Sequence, residues 1–145
     1  MKTSNKGIEM IKSFESLCLK AYLCPAGIYT IGWGHTLGVT PHQRISVAEA
    51  ENLLREDLRY AEACVSKVPG LNQNQFDALV SFTFNVGTTS FTNSTLRRLV
   101  VSDRENPKIR DEFKRWKYAT VDGCMVELDG LVKRRIKEAD LYFNK

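Results

Sequence analysis

The sequence predicts an α+β fold in which helices predominate, with a small β-containing lobe first and a helical lobe after it. Two observations support this class. From Leu19 to Thr40 the chain is rich in glycine and in β-branched or aromatic residues, which is typical of short strands and turns. From Ser46 onward, apolar residues recur at helical spacing in segments bounded by capping residues, glycine or proline.

The 145 residues fit one domain, and no repeat or linker divides them. Within that domain we expect three parts in chain order. They are a β-containing lobe over about 1–45, a linking helix over about 46–67 and a helical lobe over about 68–145.

A short helix is predicted to open the first lobe. Ser4 or Asn5 can cap it, because both side chains accept hydrogen bonds from free backbone N–H groups. Ile8 and Ile11 then fall on one face, and the helix should end soon after Glu15.

A turn and a small strand pair follow this helix. The run Cys24-Pro25-Ala26-Gly27 predicts a tight turn, and Ile28–Ile31 predicts a strand. Glycines on both sides of Trp33 indicate a bulge or a close backbone approach.

The remaining helices are predicted from their first residues. The linking helix opens with a capping box and runs to about Lys67, where Val68-Pro69-Gly70 ends it. The later helices are expected to begin at Asn72, within Phe91–Ser94, at Asn106-Pro107 and at about Asp129.

Composition and charge exclude several classes of protein. With 43% hydrophobic and 26% charged residues the chain is not predominantly disordered. A net charge of +4 favours an anionic partner only modestly, and no dense basic block with aromatics predicts nucleic-acid binding.

The first residues hold no apolar run long enough for a signal peptide or membrane anchor, so we expect synthesis in a cytoplasm. The four cysteines are then expected to be free thiols.

One spaced motif carries chemical information. Glu15, Cys24 and Thr30 are separated by eight and then five residues, and Thr30 begins the run Thr-Ile-Gly-Trp-Gly-His. This segment resembles the catalytic segment of the phage-type lysozymes (endolysins), which has a Glu, eight residues, an Asp, five residues and a Thr, followed by T-I-G-x-G-H. Cys24 stands where that family most often has Asp. Later segments also resemble the family in order, namely Pro69–Leu79, Phe84–Gly87, Trp116 and Gly130–Arg135.

The resemblance implies a lysozyme-like fold and a muramidase that cleaves the β-1,4 bond between N-acetylmuramic acid and N-acetylglucosamine. Glu15 would be the general acid. Cys24 would act as a thiolate nucleophile or base, or would help to seat a water held by Thr30, or would be a small turn residue with no part in the reaction. Family members of this type are thought to invert, which favours a water-mediated route.

The resemblance also implies substrate-binding positions at Phe84, Asn85 and Ser94. Asn85 would hydrogen-bond Glu15 or an acetamido group, and Arg134 or Arg135 would ion-pair with Glu15. The resemblance makes His35 a buried, hydrogen-bonded structural residue rather than a metal ligand.

We expect a monomer that needs no cofactor and no metal, acts on peptidoglycan, binds no nucleic acid and does not insert stably into membranes. It would reach the cell wall through a pore made by a separate protein. Two alternatives stay open: a lytic transglycosylase, which needs only one acid, and a non-catalytic wall-binding relic that lost the family's Asp. A zinc amidase is disfavoured because the chain has only two histidines at no useful spacing.

Overall fold

The structure is a computed structural model that describes residues 1–144, and it confirms a mainly helical α+β fold. Those residues form seven helices and two antiparallel sheets of two strands each. In chain order the elements are α1 (Asn5–Phe14), β1 (Cys18–Leu23), β2 (Tyr29–Gly32), α2 (Val47–Val65), α3 (Gln73–Val86), α4 (Thr88–Thr92), α5 (Thr95–Ser102), α6 (Lys108–Lys114), β3 (Tyr118–Val121), β4 (Cys124–Glu127) and α7 (Asp129–Tyr142).

The chain divides into two compact units. Unit 1 comprises Met1–Gly7 and the chain from Tyr60 onward, and unit 2 comprises Ile8–Arg59. Both crossings between the units lie inside helices, the first in α1 and the second in α2. The predicted description as one domain with a linking helix stays a prediction.

In unit 2, the β1–β2 hairpin has the turn that the sequence predicts. The N–H of Gly27 donates to the carbonyl of Cys24 at 2.8 Å, and Gly27 has a φ of 80°, which glycine adopts without strain. The second strand begins at Tyr29, one residue later than predicted. The core of this unit is aliphatic and includes Ile8, Ile11, Ile31, Leu54 and Leu58.

The predicted capping box at the start of α2 is confirmed. The N–H of Glu49 donates to Ser46 Oγ at 3.1 Å, and the N–H of Ser46 donates to Glu49 Oε1 at 3.2 Å. The helix ends at Val65 rather than Lys67. The N–H of Ser66 still bonds four residues back, whereas the N–H groups of Lys67 and Val68 bond three residues back, as in a tightened last turn.

In unit 1, α3 packs against α7 over an aromatic core. Asn72 and Gln75 form a capping box at the start of α3, so the predicted start is confirmed. Phe82 is the centre of the core: its ring meets those of Phe91, Phe113 and Trp116 edge to face, with centroids 6.2, 5.6 and 5.5 Å away.

The predicted helix start within Phe91–Ser94 is confirmed, but the separate short helix α4 (Thr88–Thr92) that precedes it was not predicted. Ser94 then caps α5, whose Arg97 N–H donates to the Ser94 hydroxyl at 3.0 Å. The helical spacing of the apolar residues continues across the break, so periodicity alone does not reveal it.

The sequence analysis also missed a hairpin in the segment assigned to a helical lobe. Strands β3 and β4 pair in register, with Thr120 opposite Met125. Their turn holds Asp122 and Gly123, both with positive φ (50° and 80°). An Asp-Gly pair between two short apolar runs is a known hairpin signal, and it stands in the sequence at this point.

None of the helices in residues 1–144 combines the length and apolar character needed to span a bilayer. All four cysteines are free thiols, as expected.

Replacing Gly7 by alanine should destabilise the protein. A Cβ on Gly7 would lie 2.7 Å from Asp77 Cγ and 2.8 Å from Thr3 Cγ2. We expect the free energy of unfolding in urea to fall by about 1–3 kcal/mol. Gly130→Ala is the matched control in α7, because nothing lies within 4 Å of its Cβ position and alanine favours helix. Equal stability of the two variants would contradict the packing of Gly7.

Candidate active site

Glu15 directly follows the last residue of α1 and is half-buried. Its N–H donates to the carbonyl of Lys12 at 3.2 Å, which continues the helical path by one residue. Its Oε2 lies 3.9 Å from the place that a Cβ would occupy on Gly34. Gly34 has a φ of 84°, so the glycine permits both the backbone turn and the approach of the carboxyl.

Lys12 anchors the last turn of α1, and the sequence analysis did not single it out. Its Nζ donates to Glu51 Oε1 at 2.5 Å and to Glu9 Oε1 at 3.2 Å. The same ammonium lies 4.6 Å from the centroid of the Trp33 ring. The hydrogen bond to Glu51 raises the pKa of Lys12, which keeps the anchor charged. Because α1 is tied to the hairpin segment and to α2, the point at which Glu15 leaves the helix is defined.

Cys24 follows β1 and carries an acidified thiol. A backbone hydrogen bond from Ile28 is the main cause that lowers the pKa of Cys24. Ala26 and the Thr30 hydroxyl act in the same direction, and burial acts against them. Thr30 is buried, and its single hydroxyl hydrogen is donated either to the Cys24 thiolate or to the Ile28 carbonyl, whose oxygen lies 3.1 Å from Thr30 Oγ1. The turn therefore stabilises a thiolate at the position that the motif assigns to a carboxylate.

Tyr22 is a further member of this group that the sequence analysis missed. It lies opposite Thr30 in the β1–β2 register. Burial raises its pKa, and the negative charges of Cys18, Cys24 and Glu15 raise it further. Glu15 and Cys24 therefore act electrostatically on a tyrosine that lies opposite Thr30 in the hairpin. The hairpin register, which follows from the turn at 24–27, is the signal that finds Tyr22.

His35 is buried and structural, as predicted. Its Nδ1 lies 2.9 and 3.0 Å from the two carboxylate oxygens of Asp57, and its Nε2 lies 2.8 Å from the carbonyl of Leu37. Burial raises the pKa of Asp57, and the hydrogen bond and charge of His35 act against that rise. Among residues 1–144, no three His, Cys, Asp or Glu side chains are grouped closely enough to hold a metal ion.

The predicted substrate-binding residues all lie in unit 1. Phe84 is half-buried near the end of α3, and Asn85 beside it is exposed. Ser94 is buried, and its hydroxyl donates to the Phe91 carbonyl at 2.6 Å while it caps α5. Its contact with a saccharide stays a prediction.

Two arginines of α7 meet one buried carboxylate. Arg134 Nε lies 3.2 Å from Glu138 Oε2, and Arg135 Nε lies 2.8 Å from Glu138 Oε1. Ser81 of α3 donates its hydroxyl to Glu138 at 2.5 Å, and Arg135 donates from Nη2 to Asn85 Oδ1 at 2.7 Å. The ion pair between either arginine and Glu15 stays a prediction.

Comparison with known proteins gives one consistent family. The phage lysozyme family model matches residues 12–138. The chain is 44% identical to an endolysin of Acyrthosiphon pisum secondary endosymbiont phage 1, with 98% of each chain covered. It is 42% identical to the endolysin of Bacillus phage PZA over 98% of its own length, but spans only 55% of that protein. The muramidase domain of SpmX from Asticaccaulis excentricus has the same fold, with a TM-score of 0.92, 37% identity and 99% of each chain covered.

Replacing His35 by leucine should destabilise the protein in a pH-dependent way. In the wild type, the hydrogen bond and charge of His35 partly offset the effect of burial on the pKa of Asp57. Without the imidazole this offset is lost, so the folded-state pKa of Asp57 rises further above its ordinary value of 3.8. The folded state then binds a proton more tightly than the unfolded state does, and the free energy of unfolding falls as the pH rises above that value. We expect a loss of about 3 kcal/mol at pH 7 and a smaller loss at pH 3.5 in urea titrations.

The exposed His42 provides the control for this substitution. His42→Leu should change stability by no more than about 0.5 kcal/mol at either pH. A pH-independent loss in His35→Leu would show that packing rather than the contact with Asp57 is lost.

Proposed function

Because the chain belongs to the phage lysozyme family, we propose that it hydrolyses the β-1,4 bond between N-acetylmuramic acid and N-acetylglucosamine in bacterial peptidoglycan. The observation that carries the proposal is the arrangement in unit 2: the Glu15 carboxyl follows α1 and approaches Gly34, and Cys24, at the turn of the β1–β2 hairpin, has a thiol whose pKa is lowered by hydrogen bonds. The endolysin relatives and the muramidase domain among similar structures support the same substrate.

Glu15 acts as the general acid in this proposal. Glycoside hydrolysis begins with a proton transferred to the leaving oxygen while positive charge develops on the sugar. Glu15 donates that proton to the glycosidic oxygen, and the bond between this oxygen and the anomeric carbon breaks. The anchor formed by Lys12 and Trp33 fixes the helix end from which the carboxyl projects.

Cys24 and Thr30 act on the attacking water. The water's oxygen bonds to the anomeric carbon on the face opposite the leaving group, and the Cys24 thiolate takes its proton. The Thr30 hydroxyl orients the water. This route inverts the anomeric configuration and ends with Glu15 ionised and Cys24 protonated, so proton exchange with solvent resets both groups.

The other parts of the proposal concern substrate contacts and setting. Phe84, Asn85 and Ser94 contact the saccharide, and no cofactor or metal takes part. The protein acts as a monomer and reaches the wall through a pore made by a separate membrane protein. The basic net charge of +4 is compatible with an anionic wall.

A second candidate is lytic transglycosylation, and the thiol at position 24 is the observation that favours it. In that reaction the C6 hydroxyl of the muramic acid, not water, attacks the anomeric carbon. The product is an anhydro sugar, and one acid that later acts as base suffices. Glu15 would then perform both proton transfers.

The products of peptidoglycan digestion separate these reactions. The purified protein incubated with Gram-negative peptidoglycan in H₂¹⁸O should release muropeptides with reducing muramic ends that carry the label. Mass spectrometry should detect no anhydro-muramic ends. Anhydro ends without label would establish the transglycosylase, and no cleavage at all would favour a wall-binding relic. Proton NMR of the first products should show the inverted anomer.

Substitutions at Glu15 and Cys24 test the two proposed roles. Glu15→Gln should reduce kcat by about 10²–10⁴, because it removes the general acid. Cys24→Ser should reduce kcat by about 10²-fold if the thiolate is the base, whereas Cys24→Asp should retain activity. Cys64→Ser is the matched control, since Cys64 lies in α2 and contacts Thr88 and Thr92.

The pH profile gives an independent test of Cys24. A thiolate base is active above its pKa, so kcat/KM of the wild type should rise through the lowered pKa of Cys24. In Cys24→Asp this rise should disappear, because aspartate is ionised throughout the neutral range. A rise that persists unchanged in Cys24→Asp would exclude Cys24 as the base.

A further inference from the structure

Asn85 is an exposed residue that is held by one buried partner. It lies one residue before the end of α3 and is exposed. Its Oδ1 accepts a hydrogen bond from Arg135 Nη2 at 2.7 Å. A guanidinium has only donors, so the oxygen of the carboxamide, and not its nitrogen, must face Arg135. The chemistry of the pair therefore fixes which way the amide points.

The bond to Arg135 therefore orients the NH₂ donor of Asn85. With the oxygen turned inward, the NH₂ group of Asn85 points away from Arg135 and offers its N–H bonds to solvent or to a ligand. A freely rotating asparagine turns either its oxygen or its nitrogen outward, whereas this one turns its NH₂ donor outward. The position is suited to a hydrogen-bond acceptor on a bound molecule and unsuited to a donor.

Arg135 itself is held on three sides. Its side chain is fully buried. Its Nε forms an ion pair with Glu138 at 2.8 Å, and its guanidinium carbon lies 5.0 Å from the centroid of the Phe82 ring. Only a planar group with several donors spans from Glu138 to Asn85 across an aromatic ring, because a lysine ammonium is a single point of charge.

We propose that Arg135 is a positioning residue that fixes the Asn85 amide as a donor to the acetamido carbonyl of an N-acetylated wall sugar. This inference rests on the proposed function and adds a source of specificity to it. A de-N-acetylated sugar carries an ammonium instead, which is a cationic donor with no acceptor. The ammonium and the outward NH₂ of Asn85 are both donors, so no hydrogen bond forms between them.

The experiment compares cleavage of two matched peptidoglycans, one fully N-acetylated and one de-N-acetylated at its glucosamine. The readout is the ratio of kcat/KM on the first to kcat/KM on the second. For the wild type we expect a ratio of about tenfold or more, the value of one good hydrogen bond. For Asn85→Asp we expect the ratio to fall to about one or below, because a carboxylate accepts from the ammonium.

Asn85→Asp keeps an acceptor for Arg135, so the fold is not weakened by the change.

Arg135→Lys keeps the buried positive charge beside Glu138 but cannot hold the amide as well. It should lower the ratio several-fold, chiefly through KM, and should have little further effect when added to Asn85→Asp. Asn72→Asp is the matched control: it makes the same charge change on α3, at the N-cap where aspartate is equally suitable, and should leave the ratio unchanged.

The outcomes separate this inference from the proposed function. If the wild type cleaves neither peptidoglycan, the proposed function fails. If it cleaves both equally well, or if Asn85→Asp retains the wild-type ratio, the function stands and this inference is overturned. Thermal unfolding is measured for each variant, and if Arg135→Lys does not fold, Asn85→Asp alone decides.

Discussion

The buried charge cluster between α3 and α7 is the constraint on which unit 1 depends. Glu138 is fully buried between Arg134 and Arg135, and burial raises its pKa while the two guanidiniums and Ser81 act against that rise. Removing charges from water costs several kcal/mol per ion, and the cost is offset only when the partners are all in place. The hydrogen bonds from this cluster to Ser81 and Asn85 of α3 therefore favour one relative placement of the two helices. This placement also determines where Asn85 stands.

In unit 2, Lys12 also holds neighbouring elements together, but as a point charge rather than through a planar guanidinium. Lys12 is a compact charge that bonds two carboxylates and covers the face of Trp33, so it ties the end of α1 to its neighbours without needing a planar geometry. Arg135 instead needs its planar fork, because it orients an amide as well as balancing a carboxylate. Lys12 and Arg135 are two of 21 lysines and arginines in the sequence. Lys12 defines the surroundings of Glu15, and Arg135 defines those of Asn85.

Much of the fold could be predicted from local signals. The capping boxes at Ser46 and Asn72 and the turn at Cys24–Gly27 are formed by neighbours in sequence, so their residues suffice to predict them. The motif likewise singled out Glu15, Cys24 and Thr30 as candidates, and their catalytic roles stay a prediction. What the sequence analysis missed depends on distant partners: the Lys12–Trp33 contact, the Tyr22 environment and the Arg135–Asn85 bond each join residues that no short pattern connects. The β3–β4 hairpin is different, because its Asp-Gly signal at positions 122 and 123 stands in the sequence and suffices to predict it.

The β3–β4 hairpin has a practical consequence for engineering this chain. Nearly all of its side chains are exposed, and nothing lies within 4 Å of the Cβ position on Gly123 at its tip. Its strands pair only with each other, so the aromatic core around Phe82 does not include them. The tip is therefore a suitable insertion point for an epitope or a reporter peptide. Beside it, the exposed Cys124 thiol is an attachment point for a fluorescent probe.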